Sequence, residues 1–370
     1  MDKLTEALRR NNNFDALRIA AAGAVILGHA SELRGHADEM PVVFGIPLTQ
    51  FAVGVFFVIS GYLISGSWER RSHLPRYLTN RVLRIIPGLL LVVVVTAFAL
   101  GPLVSALAVG DYFTHSGTYS YLRNALLIPN YALPGVFAGN PFPGAVNGSL
   151  WTLPAEFACY LVVPVIGSLP KRLRVPAWTG FALACVIITL FTHLDFFGAR
   201  VESASLMWVF FAGGVLVRLG IARRRLRADV AVVVAVVWLA VAFVRPQWGL
   251  YAAWIALPYC LLAFGVRSTP VLRQASRYGD LSYGLYVWAF PVQQTVIYFF
   301  GVLPWALDVG LVALVSAAFA YGSWHLVERP SMTLSQRFPW SRDAAPQPGA
   351  RSAVPPSDAM IADEQPGDVA

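Results

Sequence analysis

Eleven positions separate Arg18 from His29 in the run RIAAAGAVILGHASELRG, and most residues between them are apolar enough to enter a bilayer. On a helix that spacing leaves the two side chains about 20° apart in direction and about 16 Å apart along the axis, so they share one stripe. A guanidinium suits an anion, above all a phosphate, and an imidazole is the side chain best matched to taking a proton near neutral pH. The structural alternatives are a snorkelling Arg18 paired with Asp15 and a neutral His29 bonded to a backbone carbonyl. An ionisable group deep in a membrane is costly, and that weighs toward function for His29.

Two further groups belong to the same chemistry. Glu156, in NGSLWTLPAEFACYLVVPV, lies inside an apolar stretch. A helix starting at Pro154 would be too short to span, so the helix is expected from about Ser149, with Trp151 at the interface and Glu156 about five residues below the outer rim. Counting residues gives His29 a matching depth. In YLTNRVLRIIPG, Arg81 and Arg84 are three apart and on one helix face at the mouth of their span. They form either a basic anchor or, with Arg18, an anion site.

These residues need helices to hold them. Of the 370 residues 57% are apolar and 13% charged, and the mean hydropathy is +0.59, which excludes an ordinary soluble domain. Apolar windows recur at roughly 15–34, 48–66, 85–104, 149–168, 176–193, 203–219, 229–244, 249–266, 281–300 and 307–326. The expected fold is all-α, a polytopic membrane helix bundle of about ten transmembrane helices. With both termini cytoplasmic, only Arg34, Arg123, Arg200 and Arg245 of the 28 basic residues fall outside, the asymmetry of the positive-inside rule. The net charge of +8 then reflects attraction to anionic membrane lipid and calls for no nucleic-acid partner. Cys159, Cys185 and Cys260 fall within spans at no metal-ligand spacing, so no metal is expected. The first span lacks a cleavage site and is expected to be retained. A membrane domain is expected over 1–338 and a disordered cytoplasmic tail, rich in Pro, Ala, Asp and Ser, over 339–370. The segment from about 105 to 148 is long, aromatic and rich in Pro and Gly, and reads as a cover on the acceptor side or a lid that only packs.

Read in order, FDALRIAAAGAVILGHA, GVFFVISGYLIS, RVLRIIPG and NGSLWTLPAEFACYLVVP resemble acyltransferase family 3, the polytopic O-acyltransferases of bacterial envelopes and some antibiotic pathways. GDLSYGLYVWAFPVQQ and HLVERPSM agree, and the likeness covers residues 11 to about 332. Where some branches carry a histidine, this chain has Ala289-Phe290. The resemblance implies a multi-pass protein of a bacterial inner membrane. It would move an acyl group, most often acetyl, from cytoplasmic acyl-CoA as co-substrate to a hydroxyl of a glycan or glycosylated small molecule. Arg18, Arg81 and Arg84 would then hold the phosphates of the coenzyme and His29, about 16 Å away, would meet the thioester, with Glu156 orienting the imidazole. Ser60 invites a nucleophile's role, but no base is evident beside it, so a structural role or lining of the pantetheine arm is preferred. Asn147, Trp151, Tyr283, Tyr286, Gln293 and Gln294 are candidates for lining the acceptor side, the two glutamines and two tyrosines equally for bonding helix to helix. The rival class is a glycan or lipid transporter without catalysis, which would show broken helices in related halves. No such repeat is visible.

Overall fold

The computed structural model describes residues 12–192, 195–196, 199–220, 225–335 and 338. The tail expected over 339–370 lies outside them, as do Lys3, Arg9, Arg10, Arg223 and Arg224. Each of the ten apolar windows is occupied by a helix: α1 (Phe14–Leu33), α2 (Leu48–Arg70), α3 (Leu74–Val95), α4 (Thr152–Gly167), α5 (Lys171–Phe191), α6 (Val201–Gly220), α7 (Ala228–Val244), α8 (Gly249–Gly265), α9 (Ser282–Phe300) and α10 (Trp305–Ser323). Eight helical stretches among the described residues are long and apolar enough to cross a membrane. The shorter α7 has 17 residues, and the 19-residue α9 is buried along most of its length and carries Tyr and Gln among its apolar residues. The protein is a helical membrane bundle.

Two spans run past their apolar windows. α3 starts eleven residues ahead of its window and continues through a wide turn, Thr96–Leu100, to Val104, making a span of 31 residues, and α10 continues past its window to Leu334. The Ala97 carbonyl in the wide turn accepts a bond of 2.7 Å from Tyr112 of the following segment. Local signals set the other ends. His73 Nδ1 accepts from the Arg76 amide just ahead of α3, with Pro75 in its first turn. Asn147 Oδ1 accepts from the Ser149 amide, opening a short 3-10 turn, Gly148–Trp151, that feeds α4.

Close packing fixes how the helices lie. A side chain at Gly61 of α2 would overlap the Phe211 carbonyl of α6, and one at Gly214 of α6 would overlap the Val58 carbonyl of α2. The two backbones therefore touch at reciprocal glycines, the close approach that small residues permit in a membrane. α1 is packed between α2 on one side and α9 and α10 on the other. The segment from Ser105 to Asn147 is knitted to itself by Ala106 N to the Gly135 carbonyl and Ser105 Oγ to the Pro134 carbonyl. Because α1 and α9 begin at one end of the bundle and α2 and α4 at the other, the end where α1 starts is termed the near end and the other the far end.

Candidate functional site

At the near end, Arg18 lies 3.7 Å from Asp15 with its side chain 20% exposed. Arg84 donates to Asp280 at 2.6 Å and sits 3.8 Å from the buried Glu328 carboxylate. Its guanidinium also lies against the rings of Tyr283 and Trp324. Asp280 precedes α9 and accepts from Ser282 at 2.7 Å. Burial pushes its carboxyl up, but the cations of Arg84 and Arg18, with the bonds from Ser282, prevail and hold it below the usual carboxylate range. Arg84 is therefore matched by two carboxylates. Arg81, almost one turn away, makes no ion pair among the described residues: the Tyr77 and Tyr160 rings flank it at 5.9 and 5.8 Å, and its buried Nε has no hydrogen-bond partner. The two arginines that the sequence presents as an equal pair differ in kind.

Glu156 belongs to this level. It accepts from Ser60 Oγ at 3.0 Å and from the Tyr160 hydroxyl, and its charge acts on Arg81. Tyr77 completes the cluster, donating to the Tyr160 carbonyl at 3.0 Å. The depth match expected between Glu156 and His29 is not what the structure shows. His29 is edge-on to Phe290, and Phe290 packs against Gly148. Glu156 is eight residues beyond Gly148, about 12 Å toward the near end. Counting from helix ends assumes that the ends are level. Here the segment ahead of α4 packs among the helices, with Tyr131, Phe142 and Ala145 around Phe290 and Asn147 bonded to the Val287 carbonyl, so α4 starts below the level of His29. The absence of a base beside Ser60 is corrected with it, since the Glu156 carboxylate lies next to its hydroxyl; the lining role is not affected.

At the far end the His29 imidazole is 18% exposed, with Nδ1 3.2 Å from Glu32 Oε2 and the ring centroid 5.2 Å from that of Phe290. Phe142 stands behind Phe290 at 6.2 Å. Gln294 donates to the Phe142 and Ala145 carbonyls and accepts from Asn140, which also bonds its backbone carbonyl. Asn147 donates to the Val287 carbonyl, Tyr283 to Ile85 and Tyr286 to Ser149, while Gln293 donates to the buried Asp308 at 2.7 Å. These polar groups bond helix to helix and helix to the 105–149 segment. Trp151 packs against the hydrophobic core. Glu32, Asp280 and Glu328 were missed as partners in the sequence, although Glu32 stands three residues from His29, a spacing that places side chains together on a helix. Among the described residues no group of three metal-ligating side chains comes together.

The profile of the acyltransferase-domain family, family 3, matches residues 11–325. The chain belongs to that family. This acyltransferase is 29% identical over 345 residues to an O-acetyl transferase of Shigella phage Sf6, covering 89% of this chain and 98% of the relative. It is 30% identical over 354 residues to nodulation protein 10 of Rhizobium leguminosarum bv. viciae, covering 87% and 94%. The exopolysaccharide production protein ExoZ of Rhizobium meliloti matches at 29% over 163 residues, 44% of this chain and 45% of that protein. No solved structure gives a significant match. In this acyltransferase the four stretches that carry the family likeness fall on α1, α2, α3 and α4, the helices that supply Arg18, His29, Ser60, Arg81, Arg84 and Glu156.

Proposed function

We propose that the protein transfers an acetyl group from cytoplasmic acetyl-CoA, bound at the near end, to a sugar hydroxyl that approaches His29 from the far side of a bacterial inner membrane. The observation that carries this reading is the stripe of α1, which holds an arginine and an imidazole, 20% and 18% exposed, about 16 Å apart, a distance comparable to an extended pantetheine arm. Arg81, which makes no ion pair among the described residues, and Arg18, partly exposed beside Asp15, suit the phosphates of the coenzyme. The Ser60–Glu156–Tyr160 cluster beside Arg81 lines the route of the arm. His29 takes the proton of the acceptor hydroxyl as its oxygen attacks the thioester carbonyl. The carbon–sulfur bond breaks, coenzyme A leaves as its thiolate, and the imidazolium returns the proton to it. The name of the Sf6 relative supports acetyl as the group moved, and that of ExoZ supports a polysaccharide acceptor.

The test is release of coenzyme A thiol from acetyl-CoA by the full chain in lipid nanodiscs, with and without oligosaccharide acceptors. Acceptor-dependent release and a labelled ester on the sugar are expected. His29→Ala should lower turnover by about 10²- to 10⁴-fold while acetyl-CoA binding stays near that of the wild type. Wild-type turnover in folded His29→Ala would refute the role given to His29. No coenzyme binding and no turnover with any acceptor would instead leave transport as the better reading.

A further inference from the structure

His29 is gripped from two sides. Glu32, one turn on along α1, places Oε2 3.2 Å from Nδ1, while Phe290 of α9 meets the ring edge-on at 5.2 Å between centroids. Phe290 cannot retreat easily, because Gly148 packs against it on one side and Phe142 stands near it on another. A carboxylate can only accept a hydrogen bond, so its contact selects the imidazole tautomer with the proton on Nδ1 and leaves the lone pair of Nε2 free. The other ionisable groups packed around this end are engaged elsewhere. Asp308 of α10 is bonded to Gln293 and feels Arg34. Arg34 donates to the Leu303 carbonyl, and His36 faces Glu39 beyond the end of α1. Tyr131, from the outer segment, packs into the cluster around Phe290.

From this geometry we infer that Glu32 is the positioning residue of the reaction: it fixes the tautomer and direction of His29 so that Nε2 faces the acceptor hydroxyl. The inference rests on His29 being the base. It assigns to a residue of the same helix the orienting task that sequence reasoning gives to Glu156, and it leaves Glu156 to the donor end. As the hydroxyl proton arrives at Nε2, the carboxylate at Nδ1 also stabilises the positive charge that forms on the ring.

Two measurements on the full chain in nanodiscs test it. In protein labelled with 15N at its six histidines, the His29 signal, assigned by its loss in His29→Ala, should report the Nδ1–H tautomer. In Glu32→Ala the proton should redistribute toward Nε2. With acetyl-CoA and an oligosaccharide acceptor that the wild type uses, Glu32→Ala should lower kcat by about 10- to 100-fold, less than loss of the base itself, with KM for acetyl-CoA within about twofold. Glu32→Gln keeps an acceptor oxygen and should retain more of both the tautomer and the rate. An unchanged tautomer in Glu32→Ala overturns the inference whatever the rate, and so does wild-type kcat beside an inactive His29→Ala. Wild-type turnover by His29→Ala is a different result, since it removes the underlying reading of His29 and the role of Glu32 with it.

Discussion

Arg81 and Arg84 show how much a single position can hide. Spacing alone makes them neighbours on one helix face, and their neighbourhoods then divide them. Arg84→Ala would leave the buried Glu328 carboxylate and the half-buried Asp280 without this cation, and removing one partner of a fully buried pair typically costs about 3–5 kcal/mol, the upper bound here. The expected result is a lower melting temperature. Arg81→Ala strands no ion-pair partner, so melting should change little while the dissociation constant for acetyl-CoA rises by about tenfold or more, the equivalent of one charge-assisted bond. Equal effects of the two substitutions on both measurements would sink the distinction. Asp280 adds a pH signature. Its carboxyl is held below its unfolded value, so its contribution is fully present above about pH 4, the unfolded carboxylate range, and fades as pH falls through the lower folded value. Asp280→Asn should therefore melt lower than the wild type at neutral pH, and the gap should close in strong acid. Which carboxylate neutralises which arginine is set by contacts between residues as far apart as Arg84 and Glu328, and sequence spacing holds no information about such pairs.

Among the elements, the helices were legible and their heights were not. Apolar windows mark where chain can lie in lipid, because every backbone polar group there must be satisfied within a helix. They do not say that α4 starts below the level of His29, a difference that moves Glu156 away from His29 and beside Ser60. The start of α3 at Leu74, eleven residues ahead of its apolar window, was hidden because LTNRVLR is polar yet helical. Gly61 lets the backbone of α6 approach that of α2. Gly61→Leu should disrupt that contact and lower the yield of folded protein, and a substitution at Gly214 should do the same, because either side chain would meet a main-chain carbonyl. If both variants melt like the wild type in detergent, the reciprocal contact does not hold the bundle together.

For the whole molecule, the charge asymmetry along the sequence and the stripe on α1 point to one vectorial reading. In vesicles of known orientation, acetyl-CoA supplied on the face carrying Arg18 and Arg84 should acylate an acceptor confined to the opposite face. Transfer only when both substrates share one face would refute passage of the acyl group through the protein and leave the acyltransferase assignment intact. The bundle also treats its outer segment as a part in its own right. Residues 105–147 are stitched to themselves at Ser105, Pro134 and Gly135, and they reach α9 through the amides of Asn140 and Gln294. A segment fastened in this way is a fitted cap rather than a door on a hinge. On the reading that this cap covers the acceptor side, acceptor choice is a heritable property of a cassette: replacing 105–147 with the corresponding stretch of a relative should transplant acceptor preference when the Gln294 side of the clasp is exchanged with it, and should yield a loosened, less discriminating enzyme when it is not.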